Sequence, residues 1–218
     1  MNPIQRTLWP AIVSLYAILL TSLHMAMTSP WRLATPVKLA NFEAAEPFQH
    51  RVLLPALVAA VHEILPLGVV LLFALAEMAA WIALIVLAEQ ALRLFSIGSS
   101  TAVRRLLALT VVVPVGLHLI VPELVPYPAL NLDEGVLDLG NWRAHRLFYY
   151  VYDLPAAVFL LALVLLMVQY ARSRDRRWLY GYLALFAVAT LNRETTLFLI
   201  PAFAIAFYGL IDRGTLVR

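Results

Sequence analysis

The stretch LGVVLLFALAEMAAWIALIVLAEQAL, residues 67–92, decides the fold class. Its apolar side chains follow one another without alternation, and acidic residues interrupt them only at Glu77 and Glu89. A helix rises about 1.5 Å per residue, so about 20 apolar residues cross the roughly 30 Å hydrocarbon core of a bilayer. A helix also satisfies its own backbone hydrogen bonds in that core. The stretch therefore predicts a transmembrane helix.

The rest of the chain has the same character. Of its 218 residues, 63% are hydrophobic and 13% are charged, and the mean hydropathy is +0.85. Soluble domains carry about 25% charged residues, so this chain has too little polar surface to cover its apolar side chains in water. We expect an all-α polytopic membrane protein in which residues 1–218 form a single integral membrane domain. The six expected spans are 8–28, 67–92, 105–122, 147–170, 178–192 and 195–211.

Residues 52–65, VLLPALVAAVHEIL, form an apolar stretch that is too short for an ordinary span and contains Pro55. At about 1.5 Å per residue it falls well short of 30 Å, so we expect a short interfacial or re-entrant helix. The chain then has six spans, with its N-terminus inside. The alternative has seven spans, with the N-terminus outside. Both arrangements place more Lys and Arg inside, as the positive-inside rule requires, and the seven-span alternative gives the larger excess.

A cluster of polar side chains separates the last two apolar runs, in ATLNRETTLFLIP, residues 189–201. Three strongly polar residues stand there with no room for an ordinary loop, which indicates a polar site at one membrane face. The six-span arrangement brings further polar residues to that outer face. The full set is Glu43, Glu46, His50, Arg51, His145, Arg146, Tyr152, Asp153, Asn192, Arg193 and Glu194.

The chemistry of this set favours a phosphate or pyrophosphate head group, because arginine forks bind phosphate oxygens bidentately. A carboxylate among them could act as a general base. Asp153 is expected about two turns inside its apolar run, where an acid needs a partner, and Arg51 or Arg193 is the expected one. The alternative is an arginine–carboxylate network that only fixes helix packing. The candidate catalytic residues are Glu43, Glu46 and Asp153; the candidate substrate-binding residues are His50, Arg51, His145, Arg146, Asn192, Arg193 and Glu194.

Glu77 lies near the middle of its expected span, and two interpretations are open. A mid-membrane acid is a functional hypothesis, such as a proton-coupling group, but it can also be a neutral acid hydrogen-bonded to a neighbouring helix. His24 and His118 are expected to be interfacial hydrogen-bonding residues. The chain has no cysteine and no metal-ligand spacing of histidines, so we predict neither a metal site nor a cofactor. Its basic residues are scattered, which argues against nucleic acid as a partner.

Two stretches resemble polytopic bacterial membrane proteins related to the family-C glycosyltransferases, which use polyprenyl-phosphate sugar donors. EPFQHRVLLPAL, residues 46–57, is similar to the segment after their first outer loop, where a proline-containing juxtamembrane helix follows a short acidic loop. YDLPAAVFLLALVLLMVQYARSRDRRWLYGYLALFAVATLNRETTLFLIP, residues 152–201, is similar to their later module. That module has an acid at the head of one span, a basic cytosolic turn, a next span and a polar residue before a further apolar run. The resemblance implies a short or truncated relative.

The resemblance also implies an activity, namely transfer of a sugar from a polyprenyl-phosphate donor to an acceptor on the outer side, with inversion at the anomeric carbon. The catalytic acid of the family lies in the first outer loop, which points to Glu43 or Glu46. Basic residues hold the lipid phosphate, which points to Arg51 and Arg193.

The sequence therefore predicts a membrane glycosyltransferase-like protein that handles a lipid-linked sugar at the outer face of a bacterial inner membrane. Its expected partners are membrane lipid, a polyprenyl-phosphate-linked sugar and a further membrane protein. Two alternatives stay open: a small multi-pass transporter or proton-coupled carrier that uses Glu77, and a non-enzymatic membrane subunit.

Overall fold

The computed structural model describes residues 3–28, 33–45, 51–120 and 151–206, and every regular element in these ranges is helical. The prediction of an all-α membrane protein is confirmed. The helices are α1 (Pro3–Met27), α2 (Pro36–Ala40), α3 (Leu53–Ile64), α4 (Val69–Leu94), α5 (Thr101–Ile120), α6 (Asp153–Ser173), α7 (Arg176–Asn192) and α8 (Leu199–Ala206), with a 3-10 helix (Glu194–Phe198) before α8.

Within the described residues, four segments are long and apolar enough to cross a membrane: Leu8–Ala26, Val69–Leu94, Thr101–Leu119 and Asp153–Ser173. They match four of the six expected spans. The other two expected spans, 178–192 and 195–211, coincide with shorter helices. The helix α7 has 17 residues and packs along α6. The shorter apolar segment Thr196–Ile205 combines the end of the 3-10 helix with most of α8.

The start of α6 differs from the expected span 147–170. Val151 and Tyr152 form a turn, and the helix begins at Asp153. Pro155 fits this start, because proline has no backbone N–H and its ring clashes with the carbonyl four residues earlier, so the first turn is where a helix accepts it most readily. The expectation that Asp153 lies two turns inside an apolar run is therefore wrong. Its carboxylate instead sits at a helix N-terminus, where the macrodipole favours negative charge.

The two ends of the bundle have different charge. The guanidinium of Arg105 lies 4.9 Å from the ring of Trp9 and 3.3 Å from Glu89, so the start of α1, the end of α4 and the start of α5 meet at one end. We call this end the basic face, and it carries Arg93, Arg104, Arg105, Arg172, Arg174, Arg176 and Arg177. The opposite end of α1 contacts α4 through His24 and Glu77. The helices α1 and α4 are therefore antiparallel.

The short helix α3 lies at the end opposite the basic face. It has 12 residues, about 18 Å in length, which is too short to cross a 30 Å core. Leu54 and Val58 pack in a buried cluster with Leu39 of α2, Phe73 of α4 and Tyr152. Since α1 ends and α4 begins at this same end, α3 has the short, non-spanning character expected for residues 52–65. The count of six spans and the side of the N-terminus stay predictions.

Candidate functional site

A charged pair joins the start of α6 to the end of α7. Arg193 Nη1 donates a hydrogen bond to Asp153 Oδ1 at 2.8 Å, and the two side chains are 32% and 24% exposed. The expectation that an arginine partners Asp153 is confirmed, with Arg193 as that partner. Arg193 is a single extended residue between α7 and the 3-10 helix, with φ −158° and ψ 128°. The tight turn predicted at residues 192–194 is therefore present, and it directs Arg193 toward α6.

Asn192 fixes the position of this turn. Its side chain is 1% exposed, and Nδ2 donates to the carbonyl oxygen of Tyr152 at 3.1 Å. A hydrogen bond from the last residue of α7 to the residue before α6 aligns Asp153 with Arg193. This contact gives Asn192 a positioning role, and its predicted contact with substrate stays a prediction.

Arg51 approaches the same turn from the other side. Its guanidinium carbon lies 4.3 Å from the centroid of the Tyr152 ring, within the range of a cation–π contact. Tyr152 is itself buried among side chains of α2, α3 and α4. The stack therefore brings a second arginine beside Asp153. We call the group Arg51, Tyr152, Asp153, Asn192 and Arg193 the site cluster, and the end of the bundle that carries it the site face.

A cavity of about 420 Å³ opens beside the charged pair. Asp153, Arg193 and Thr196 provide its polar lining, and the apolar lining follows as Ala156, Ala157, Leu160, Phe198 and Leu199. Ligand pockets are commonly about 300–1,000 Å³ and combine an apolar wall with a few polar groups. The cavity thus offers a charged end and an apolar flank along α6, which suits an amphiphile with a polar head and a hydrocarbon chain.

Several basic side chains surround the Asp153 carboxylate. Arg193 and Arg51 attract the Asp153 carboxylate, and so do His24 and His118 when they are protonated. Among the residues that the structure describes, no hydrogen-bond acceptor reaches the buried Nε of Arg193. An arginine with donors beyond those used by its carboxylate partner can bind a further oxyanion.

A second polar pair lies deeper between α1 and α4. His24 Nδ1 and Glu77 Oε1 are 2.8 Å apart with both side chains 4% exposed, and Trp81 Nε1 donates to the same oxygen at 3.3 Å. The expectation that His24 makes a hydrogen bond is confirmed, and its position at the membrane interface stays a prediction. The antiparallel packing of α1 on α4 turns its side chain inward, toward Glu77. The hydrogen bonds of Glu77 fit its interpretation as an acid bonded to a neighbouring helix. They do not test a role in proton coupling.

The remaining predicted site residues are not all brought together. Glu43 is exposed in an irregular segment directly after Phe42, whose φ is 59°. Its neighbour Ala44 packs in the buried cluster that contains Tyr152. Glu46, His50, His145 and Arg146 lie outside the described residues. For Glu194 the structure describes only the backbone, which begins the 3-10 helix.

Thr196 and Phe198 line the cavity but were not among the predicted site residues. The apolar pattern of residues 195–211 predicts an uninterrupted span and gives no sign of the 3-10 helix. That helix brings Thr196 and Phe198 to the cavity beside α6. The hydroxyl residue Thr196, close after the polar residues 192–194, could have indicated that the polar site extends to this position. Its Oγ1 donates to the carbonyl oxygen of Ala189 at 3.3 Å, which holds the turn closed.

The fold and the site together define a multi-helix membrane protein with a cavity at one end that has both charged and apolar lining. Residues 144–218, about a third of the chain, match the family described as dolichyl-phosphate-mannose-protein mannosyltransferase. The match covers Asp153, Asn192 and Arg193 and includes the stretch 152–201. It confirms the resemblance of that stretch to family-C glycosyltransferases, while the resemblance of residues 46–57 lies outside it and stays a prediction. Comparisons with curated proteins and with solved structures give no match.

Proposed function

We propose that this chain handles a lipid-linked sugar at the site face, as a glycosyltransferase-like protein of a bacterial inner membrane. The cavity beside Asp153 and Arg193 carries the proposal, because it joins a charged pair to an apolar flank on the side of α6. A polyprenyl phosphate has the same two parts. Its phosphate would lie against Arg193 and Arg51, and its chain along Ala156, Ala157 and Leu160.

The site face would lie outside the cell. The basic face carries most of the arginines at helix ends, and basic residues near span ends accumulate on the cytosolic side. The site face then opens outward, where the resembling enzymes transfer sugar. The charge asymmetry supports this orientation, and the labelling experiment described in the Discussion tests it.

The reaction would be an inverting displacement. An acceptor hydroxyl attacks the anomeric carbon, the new carbon–oxygen bond forms, and the bond from that carbon to the phosphate oxygen breaks. The acceptor proton passes to a carboxylate base, and the electron pair of the broken bond leaves on the polyprenyl phosphate. The Arg193 and Arg51 guanidinium groups would stabilise the charge that develops on that phosphate.

Three carboxylates are candidates for the base. Asp153 lines the cavity but forms an ion pair with Arg193. A phosphate that binds Arg193 would have to break this ion pair before Asp153 could act as the base. Glu43 is exposed on the segment packed beside Tyr152, and Glu46 follows it in sequence. The resemblance favours an acid of the first outer loop, and the geometry favours Asp153. Sugar transfer by Asp153→Asn, Glu43→Gln and Glu46→Gln distinguishes the three, because only the base is needed for the chemical step once the donor is bound.

A non-enzymatic membrane subunit is the second candidate function. It is favoured by the hydrogen bond from Asn192 to Tyr152 and by the ion pair of Arg193, since both contacts tie helices together without any ligand. In that case the site cluster would only stabilise packing.

Binding of a polyprenyl monophosphate to the purified chain in detergent tests the proposal. Arg193→Ala should abolish binding, and Arg193→Lys should restore it only in part, because lysine keeps the charge but lacks the planar fork. Arg176→Ala is the matched control, since Arg176 is an exposed arginine of the basic face. The double variant Arg193→Ala with Asp153→Asn removes both charges of the pair and should also fail to bind. Unchanged binding in a folded Arg193→Ala variant would contradict the proposal.

A further inference from the structure

A larger cavity lies at the opposite end of the molecule, on the basic face. It has a volume of about 520 Å³ and is lined by α4, α6 and α7. Its polar lining consists of Gln90, Arg93, Gln169, Arg172 and Trp178, and the rest is one alanine and four leucines. Among the residues that the structure describes, no Asp or Glu lines it. The cavity is therefore positively charged at one end and apolar at the other.

The two arginines of the cavity differ in their contacts with the rest of the chain. Arg172 is held at the rim of the cavity, because its Nη1 donates to the carbonyl oxygen of Leu94 at 2.5 Å and its guanidinium lies 5.4 Å from the ring of Phe95. This contact uses one of five N–H groups, so the fork can donate to another acceptor. Arg93 is exposed and makes no hydrogen bond or ion pair to any part of the chain that the structure describes.

The lining of this cavity favours an anion that carries a hydrocarbon chain, as a membrane lipid does. Two arginines with no acid in the lining attract a phosphate, and the amides of Gln90 and Gln169 can donate to its oxygens. The leucines of the apolar end would contact a hydrocarbon chain. Trp178 lies at the start of α7, and tryptophans are enriched at helix ends near the membrane–water interface. Basic pockets between helices near the cytosolic face are a recurring binding site for anionic lipid head groups.

We propose that this cavity binds the phosphate of an anionic phospholipid from the leaflet at the basic face, with Arg93 and Arg172 as its ligands. The bound lipid joins the end of α4 to α6 and α7, and so stabilises the helix pair that carries the site cluster at its other end. The site is separate from the site-face cavity, and it does not depend on glycosyl transfer.

Native mass spectrometry of the purified chain with phosphatidylglycerol, phosphatidylcholine or a polyprenyl monophosphate tests this site. Phosphatidylglycerol should bind tightest, and Arg93→Gln should weaken its binding about tenfold, the effect of one charge-assisted contact. Arg93 is the first choice for substitution because replacing it breaks no observed contact. Arg172→Gln should have at least as large an effect. Ala162→Leu, which fills the apolar end without changing charge, should also weaken binding.

Arg176→Gln removes the same charge from the same face outside the cavity, and it should leave phosphatidylglycerol binding unchanged. Inorganic phosphate should not raise the thermal unfolding temperature, since it lacks the hydrocarbon chain. The proposal is overturned if phosphatidylcholine binds as well as phosphatidylglycerol, if inorganic phosphate stabilises as strongly, or if Arg93→Gln and Arg176→Gln have equal effects. The proposal is also overturned if polyprenyl monophosphate binding is lost in Arg93→Gln and kept in Arg193→Ala.

Discussion

The ion pair between Arg193 and Asp153 supports a quantitative prediction about stability. Arg193→Ala leaves a carboxylate that is 24% exposed without the guanidinium 2.8 Å away. Hydrogen bonds to charged groups contribute about 1.5–3 kcal/mol, and removing one partner of a fully buried pair costs about 3–5 kcal/mol. Because this pair is partly exposed, we expect Arg193→Ala to lower the free energy of unfolding by about 2 kcal/mol. For a chain of this size that is a fall of about 4–8 °C in the unfolding temperature.

Adding Asp153→Asn to Arg193→Ala should restore more than half of this loss, because removing both charges leaves no unpaired group behind. Thermal unfolding of the four proteins of the double-mutant cycle in one detergent measures the coupling free energy. Arg176→Ala serves as the control for loss of an arginine. Strictly additive losses in the double variant would refute the reasoning, since they would mean that the two side chains do not stabilise each other.

Further predictions concern the buried acid, the cation–π stack and the orientation. Glu77→Gln should change the free energy of unfolding by less than about 0.5 kcal/mol, because the amide keeps a hydrogen-bond acceptor. Glu77→Ala removes the acceptor of two buried N–H groups and should lower the free energy of unfolding by about 1–2 kcal/mol. Equal losses in the two variants, or proton flux in liposomes that depends on this acid, would contradict the structural interpretation. Tyr152→Leu should weaken polyprenyl monophosphate binding by loosening Arg51, and Tyr152→Phe should not, because it keeps the ring. Single cysteines at Asn41 and Ala102, both exposed, should react with an impermeant reagent from the outer and from the cytosolic side of the membrane, respectively. Labelling of Asn41 from the cytosolic side, or of both positions from one side, would contradict the proposed orientation.

The fold class could be predicted from the sequence because burial in a bilayer imposes long apolar helices, and α4 begins and ends within two residues of its expected span. The start of α6 could not be predicted from hydropathy alone, since hydropathy ignores the missing N–H of Pro155. Pro155 is the local signal for a helix that begins just before it, although Pro114 lies inside α5.

The site was predicted in part. Arg193 and Asp153 are separated by 40 residues, yet an acid in an apolar chain needs a partner, and the two ends of an antiparallel helix pair meet. The pairing of His24 with Glu77 was missed, because it depends on which face of α1 packs on α4, and an apolar helix surrounded by lipid has no polar face to indicate this. The turn of the 3-10 helix that adds Thr196 and Phe198 to the cavity is likewise set by tertiary packing.

Photo-crosslinking with a diazirine-bearing polyprenyl monophosphate tests the central claim most directly, because it reports where the lipid lies. Peptide mapping of the labelled protein should place the cross-links on the cavity wall, at Ala156, Ala157, Leu160 and Phe198. Labelling should fall to background in Arg193→Ala and persist in Arg176→Ala. Cross-links on the helices of the basic face, or labelling at the cavity wall that is unchanged in Arg193→Ala, would contradict the claim that the site cluster binds a lipid phosphate.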